Sequence, residues 1–478
     1  MHLAEAFGQA PYLLGQLLDW PVQRYPERVA VACPGRTYRF AELAAAVEQR
    51  VAVRREQVHP GECWGLALPN GPELLIELFA LWRLGAIAAP LRLSWSRERI
   101  EAVAAQVPCA GVLWPGEPLA LVQRRVTEVP LSLPKMLGVL GVLGGQIDLD
   151  PALVLFTSGS SGEPRGTILQ HHAVLANLRA NCAGLGLDDD DKTLVVLPLA
   201  HAYALIHQCL CHLAIGASVF FPPTPLLGPV LCRTLEEQEI STLALVPTAL
   251  GLLTDGLERT GRTCPELRLI TVGAAQADQA VLLRLRELLP HTALALTYGL
   301  TEAGPRVATR FLAGELGETT CLGMPLPNVA VTEQGGSLWV RSRAQCLGYT
   351  PLPENLWESA LDTSDCGTIT TEGIWLTGRR GRTINRGGTL IAPEGIETVL
   401  REHPGVRSAR VDPAPHSRWG VVLVASVAVV GELSEAELMR WCAERLPPEE
   451  RPERVQIETE EHPHTKAREL MQIFEERN

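Results

Sequence analysis

The residue pattern predicts an α/β protein with a compact α+β tail, on three observations. Short Val/Leu/Ala-rich runs alternate with segments of helical spacing over about the first four-fifths of the chain. From about Thr319 the texture changes to short strands and turns, LGMPLPNVAV and GSLWVRS. After Gly378 a compact stretch carries a helix, a strand and another helix. Strand–helix alternation implies a layered body with largely parallel sheets, because parallel strands need crossover helices that cover them.

In chain order, the expected strands are Trp64–Leu68, Ala110–Trp114, Leu153–Phe156, Thr193–Leu197, Ser218–Phe221, Thr242–Val246, Leu267–Val272 and Ala293–Thr297. Each is a short apolar run, the signature of a strand buried on both faces. Pro72–Leu84 and Gln279–Leu289 repeat their apolar residues with helical spacing. The segment after Thr319 reads as a small β-rich subdomain. The tail is expected to hold a helix near Glu394–Glu402, a strand near Val421–Val430 and a helix near Ser434–Arg445. A boundary is placed near Gly381, in the Gly/Arg-rich segment TGRRGRTINRGG.

Composition narrows the function classes. The 478 residues carry 54 acidic against 42 basic side chains, a net charge of −12. Apart from that short Gly/Arg-rich segment no Lys/Arg-rich block is present, so a nucleic-acid partner is not expected. Apolar stretches such as Val421–Val430, broken only by Ser426, reach half the length of a membrane-spanning helix, so no membrane span is expected. The first residues, MHLAEAFGQAPYLLGQLLDW, lack a basic leader and a small-residue cleavage site, and the 12 cysteines are scattered. Together these features predict a cytoplasmic protein with reduced thiols. Only Lys135, Lys192 and Lys466 are lysines; the other basic residues are arginines. A lysine's position here therefore carries information.

The chemistry concentrates in Leu153–His172, LVLFTSGSSGEPRGTILQHH. A buried strand runs into Thr, Ser, Gly and Glu alone before Pro-Arg-Gly opens the next element. Such a loop brings backbone N–H groups and hydroxyls close to phosphate oxygens, and Arg165 supplies a countercharge. No Gly-Lys-Ser/Thr closes it, which excludes a Walker-type loop, and no G-x-S-x-G hydrolase elbow is present. The run His207-Gln-Cys209-Leu-Cys211-His212 offers metal-binding residue types. Neighbours two apart point away from each other on a helix, so an apolar role is expected there.

TSGSSGEPRG resembles the phosphate-binding signature of the adenylate-forming superfamily of acyl-CoA synthetases, peptide-synthetase adenylation domains and luciferases. Further segments follow in that family's order: LPLAHAYAL (Leu197–Leu205), VGAA (Val272–Ala275), YGLTEAG (Tyr298–Gly304), GSLWVRSRAQCLGY (Gly336–Tyr349), TSD at Asp365, and TGRRGRTINRGG followed by IAPEGIE. The H-x-Y-A-L form is similar to aryl-CoA ligases. The resemblance implies a large N-terminal adenylation domain, residues 1–380, of two layered α/β subdomains plus the β-rich one. Residues 381–478 would form a small mobile C-terminal α+β domain.

It also implies roles. Thr157, Ser158, Gly159, Ser160, Ser161, Gly162, Arg165 and Gly166 would hold the phosphates of ATP, with Arg165 replacing the family's usual lysine and keeping its charge. Gly273, Ala274, Ala275, Tyr298 and Gly299 would lie at the adenine. Thr301 would meet the α-phosphate and Glu302 would hold Mg2+, a hard cation suited to carboxylate and phosphate oxygens. Asp365 and Arg379 would hold the ribose. His201, Tyr203, Gly299 and Gly304 would line the acyl pocket. Peptide-synthetase adenylation domains pair a substrate ammonium with an aspartate in the His201 segment; LPLAHAYALIHQ contains no acid, so an aryl or alkyl acid is expected.

Lys466 matches the family's catalytic lysine, although Thr465 stands where glycine is usual. Gly381 takes the hinge position, normally Asp or Lys, and Gly395 replaces an acid in the P-x-E-I-E helix. Gly387 and Gly388 match the segment lining the thiol channel. The reading is an acid–thiol ligase: ATP activates a carboxylic acid as acyl-AMP, and CoA or a carrier protein's phosphopantetheine accepts the acyl group. An amide-forming ligase and a non-catalytic nucleotide or acyl binder remain as alternatives.

Overall fold

A computed structural model describes residues 13–107, 109–115, 150–158, 164–223, 226–313, 320–350, 360–380, 384–416, 420–429 and 433–458. Tertiary contacts divide the chain into two units, with the main break after Arg380.

The first unit is built on two largely parallel sheets and one antiparallel sheet. The nine-stranded sheet runs in the spatial order Met324–Pro325, Ala308–Phe311, Ala293–Tyr298, Leu269–Val272, Thr242–Leu245, Lys192–Leu194, Ser218–Phe220, Val29–Cys33, Arg36–Arg39. Its central strands are parallel and its two margins antiparallel. The six-stranded sheet runs Gly348–Tyr349, Pro164–Gln170, Pro151–Ser158, Ile87–Pro90, Cys63–Leu66, Cys109–Leu113. The antiparallel sheet joins Val329–Gln334, Ser337–Ser342, Leu361–Thr370 and Gly373–Arg379, the β-rich texture expected beyond Thr319.

The expected α/β class holds, and its local causes are visible. Helix Pro72–Arg83 starts with proline at its first position, where a missing N–H is harmless. Helix Gln279–Leu288 is capped by the Asp278 carboxylate, which accepts from Ala280 N. The expected strand Thr193–Leu197 stops its regular pairing at Leu194, after one further bond from Val195 N to Phe220 O. Beyond it the chain leaves the sheet to form the Leu197–Leu205 segment. One buried cluster, including Phe79, Trp82, Leu155, Leu178 and Leu205, joins elements of both parallel sheets into a continuous core.

The second unit packs helices Pro393–Arg401 and Glu435–Arg445 on a three-stranded sheet, Val406–His416, Gly420–Val429 and Arg454–Glu458. The Ser434–Glu437 capping box opens the second helix. No helix among the described residues is long and apolar enough to cross a membrane.

Two neighbouring parallel strands position the site. Leu269–Val272 and Ala293–Tyr298 lie in register, Val272 opposite Leu296, and release the turns at Gly273 and Gly299 from the same sheet edge. Ligands of open α/β sheets bind at such carboxyl ends of strands.

Candidate functional site

Strand Pro151–Ser158 delivers Thr157 to the edge of the second sheet, and the chain returns through Pro164–Gln170. Gly166 on the return strand tolerates no side chain: a Cβ there would come within 2.5 Å of Thr350 Oγ1 and 2.8 Å of Val154 Cγ1. The antiparallel pair Tyr349–Thr167 brings Tyr349 beside this strand, with the Arg165 guanidinium 5.6 Å from its ring centroid. Ser158 ends the strand, whereas Gly159, Ser160, Ser161 and Gly162 lie outside the described residues.

The turn after Tyr298 is held by contact rather than propensity. A Cβ on Gly299 would fall 1.7 Å from the Pro305 carbonyl oxygen, and Gly304 adopts φ +94° against Ala344. Between them Thr301–Ala303 forms a single tight turn that presents Glu302. Tyr349 donates its hydroxyl to Glu302 Oε1 at 3.0 Å, Thr157 Oγ1 lies 3.5 Å from the same oxygen, and Cys346 N donates to the Glu302 carbonyl at 2.8 Å. Removal from water raises the Glu302 carboxyl above the usual range, opposed in part by Tyr349, Thr157 and the Arg379 charge. A carboxylate so placed gains from a cation, and its oxygens with the adjacent hydroxyls suit a hard divalent ion. The residues present therefore fit Mg2+.

Asp365 and Arg379 face each other across the pairing of Leu361–Thr370 with Gly373–Arg379. Arg379 Nη1 lies 3.2 Å from Asp365 Oδ1, and the Tyr298 hydroxyl donates to Oδ2 at 2.8 Å. Asp365 N donates to Thr363 Oγ1 at 3.0 Å. Burial still raises the Asp365 carboxyl despite these partners, and it pushes the Tyr298 phenol well up.

The Leu197–Leu205 segment leads into a helix with i→i+5 bonding, Tyr203–Leu210, a rare form that is frequent at functional sites. The Tyr203 hydroxyl donates to Thr271 Oγ1 at 3.0 Å and accepts from Thr297 Oγ1 at 3.2 Å. Its ring stacks on His207 at 4.5 Å and lies beneath the Gly273 turn, where a Cβ would meet Tyr203 Cζ at 3.1 Å. Ala274 takes φ +67° and is exposed, while Ala275 is half-buried. His201, just ahead of this helix, is held down to about 3 by burial and by the Arg92 charge, so it is neutral at physiological pH. Cys209 and Cys211 are buried in the core, and His212 bonds Gln208 O and Thr242 Oγ1. Among the described residues, the only group of potential metal ligands in mutual reach is Asp188–Asp190.

The fold thus gathers Thr157, Arg165, Tyr298, Glu302, Asp365 and Arg379 in the first unit. Gly387 and Gly388 sit in the second, at φ +58° and +96°, in the turn of the hairpin Ile384–Arg386/Thr389–Ile391. Gly381 and Lys466 lie outside the described residues. Tyr349 lies in a sequence motif that assigns it no role, and Thr271 and Thr297 carry no sequence signal of a site. Their hydroxyls belong to strands that read only as core.

The profile of the AMP-binding enzyme family matches residues 18–350, and that of the AMP-binding enzyme C-terminal domain matches residues 395–468. The chain is 27% identical to the 2-succinylbenzoate–CoA ligase of Bacillus cytotoxicus, with 96% of this chain and 99% of that protein covered. It is also 27% identical to the delta-poly-L-ornithine synthetase of Acinetobacter baumannii, covering 93% of this chain but 35% of that protein. Among solved structures, the o-succinylbenzoate CoA synthetase of Bacillus subtilis superposes with TM-score 0.80 at 23% identity, covering 95% and 96% of the two chains. The amide bond synthetase McbA of Marinactinospora thermotolerans gives 0.81 at 22%, covering 97% and 99%.

Proposed function

The chain belongs to the AMP-binding enzyme family, and from that premise we propose that it activates an aryl or alkyl carboxylic acid with ATP and passes the acyl group to a thiol, in the cytoplasm. One observation carries the reading. Glu302 and the Tyr298–Asp365–Arg379 set, drawn from segments far apart in sequence, converge in one unit with Thr157 and Arg165. That arrangement supports a site for a magnesium-bound polyphosphate joined to a ribose.

Activation brings together a carboxylate and a polyphosphate, so positioning and charge compensation dominate. Arg165 and the loop from Thr157 hold the β- and γ-phosphates. Asp365 accepts from the ribose hydroxyls, and the Arg379 charge opposes the effect of burial on its carboxyl. Glu302 would hold Mg2+, which when bound neutralises phosphate charge. His201 and Tyr203 present a neutral, largely apolar wall to the acid, with the Tyr203 ring fixed by Thr271 and Thr297. The carboxylate oxygen attacks the α-phosphorus and pyrophosphate leaves. The thiolate of CoA or of a carrier's phosphopantetheine then attacks the acyl carbonyl and AMP leaves. Lys466 neutralises the charge that develops between carboxylate and α-phosphate. Residues 1–380 serve as the adenylation domain. Residues 381–478 serve as a mobile domain turning about Gly381, with Gly387 and Gly388 at the thiol channel.

Pyrophosphate release with a panel of aryl and alkyl acids tests the first step, in wild type and Lys466→Ala. Release abolished by the substitution is expected; no turnover with any acid despite tight ATP binding would make the protein a nucleotide sensor instead. Supplying CoA, holo-carrier protein or amines to the adenylate identifies the acceptor. Consumption of amines alone would favour an amide-forming ligase.

A further inference from the structure

We propose that Asn70 is a positioning residue for the acyl wall, a clasp reaching from the second parallel sheet to fix the turn that carries His201; the inference rests on the ligase reading above. Asn70 lies between strand Cys63–Leu66 and helix Pro72–Arg83. Its Nδ2 donates to the Leu197 carbonyl at 2.8 Å, and Leu199 N donates to its Oδ1 at 2.9 Å. One side chain thus grips the backbone on both sides of Pro198, 127 and 129 residues further along the chain.

The demand for such a clasp follows from where the chain leaves the first sheet. Regular pairing stops at Leu194, so the backbone groups beyond it need new partners. Pro198 has no N–H to donate, and its carbonyl accepts from His201 N at 3.0 Å, closing a turn that ends on His201. The Leu197 carbonyl and the Leu199 N–H flank that turn, one acceptor and one donor. A carboxamide offers a donor and an acceptor on separate atoms, and these two partners fix which way it faces. Aspartate, of the same size, has no hydrogen for Leu197.

Two independent observations support a role at the site. Gly71, directly after Asn70, takes φ +151° and ψ −176°, a conformation that is essentially glycine's alone and clusters at functional sites. Nothing lies within 4 Å of a Cβ built there, so the backbone path that delivers Asn70, and not close packing, demands the glycine. Arg92, whose charge helps to hold His201 neutral, follows Ile87–Pro90, the strand paired with Cys63–Leu66. The ends of these two neighbouring strands therefore act on one turn. A turn released from its clasp forms the acyl wall only part of the time, and the apparent affinity for the acid falls by that fraction. The ATP contacts proposed at Thr157, Glu302 and Asp365 belong to other segments, so ATP binding is spared.

Asn70 is exposed, so its truncation opens no core cavity and the full chain is expected to keep its melting temperature. Pyrophosphate release at varied acid and varied ATP, with hydrogen exchange of the amides of residues 197–203, tests the clasp in Asn70→Ala. The acid KM is expected to rise about tenfold with the ATP KM within about threefold, and the Leu199 amide to exchange about tenfold faster or more. Asn70→Asp keeps the size and the acceptor but sets a carboxylate against the Leu197 carbonyl, and it too should raise the acid KM alone. An acid KM unchanged in both variants, acid and ATP KM rising together, or unaltered exchange at Leu199 in Asn70→Ala overturns the proposal. A wild type that releases no pyrophosphate with any acid overturns the ligase reading instead, and the exchange measurement still decides the clasp.

Discussion

Replacing Asp365 by Asn separates binding from stability, because the fold and the ligand make opposite demands on this carboxylate. In the unliganded protein the group is buried, and its raised pKa means that folding disfavours its charge. The contribution to stability of such a group falls as pH rises from the usual carboxylate range through the raised value, then stays constant. Above that value the carboxylate of Asp365 is therefore no asset to the fold, apart from Arg379 at 3.2 Å, whose side chain is 34% exposed and screened by solvent. Asn keeps the shape. Its oxygen can face Arg379 and its NH2 can donate to the Tyr298 oxygen, while the Tyr298 hydroxyl hydrogen, which loses Oδ2 as its acceptor, has the Thr363 hydroxyl beside it. The expected stability change is within about 1 kcal/mol, of either sign. ATP loses more. A ribose hydroxyl donating to a carboxylate contributes about 1.5–3 kcal/mol; Asn removes one such acceptor and converts the other to a neutral one. The combined loss of about 2–4 kcal/mol corresponds to roughly 30- to 900-fold in ATP affinity. Pyrophosphate release at varied ATP, beside a thermal melt, measures both quantities. An ATP KM within threefold of wild type, with the melt unchanged, would refute the placement of the ribose at Asp365.

Three further outcomes are expected. Activity should fall as pH drops through a value above the usual glutamate range, since Glu302 binds a proton more readily in the fold than in water and only its carboxylate can hold a cation. Glu302→Gln should remove that acid limb and lower pyrophosphate release by about a hundredfold or more; an unshifted limb in the variant would assign it to another group. Gly299→Ala should destabilise by about 3 kcal/mol or more and abolish activity, because its Cβ would fall 1.7 Å from a backbone oxygen. Gly251→Ala in helix Pro247–Thr260, where beyond the helix's own backbone nothing lies within 4 Å of the added Cβ, should instead gain about 0.5–1 kcal/mol and leave activity intact. Chemical denaturation reads the last two.

Periodicity and motif order made much of this protein legible before any coordinates. The alternation of short apolar runs with helical segments specified the layered body, because each run must be buried on both faces and each helix must cover a sheet. Gly166, Gly273, Gly299 and Gly304 stood out as glycines in motifs, and each proves to sit where a Cβ would strike a neighbour or where φ is left-handed. Asp365, Glu302 and Arg379 were nameable because their segments resemble, in order, the motifs of the adenylate-forming superfamily.

Partnership was decided by the tertiary structure. Tyr349 reaches Glu302 across 47 residues of chain, Tyr298 reaches Asp365 across 67, and Thr271 and Thr297 lock Tyr203 from strands that read only as core. The burial of Arg306 against Asn181 and Thr309 was equally hidden, because an arginine after a motif looks like any other until its neighbours are known. Periodicity reports which face of an element is buried, a property of that element alone. Hydrogen-bond partners and desolvation are properties of pairs and surroundings, and those exist only once the sheets and turns have been brought together.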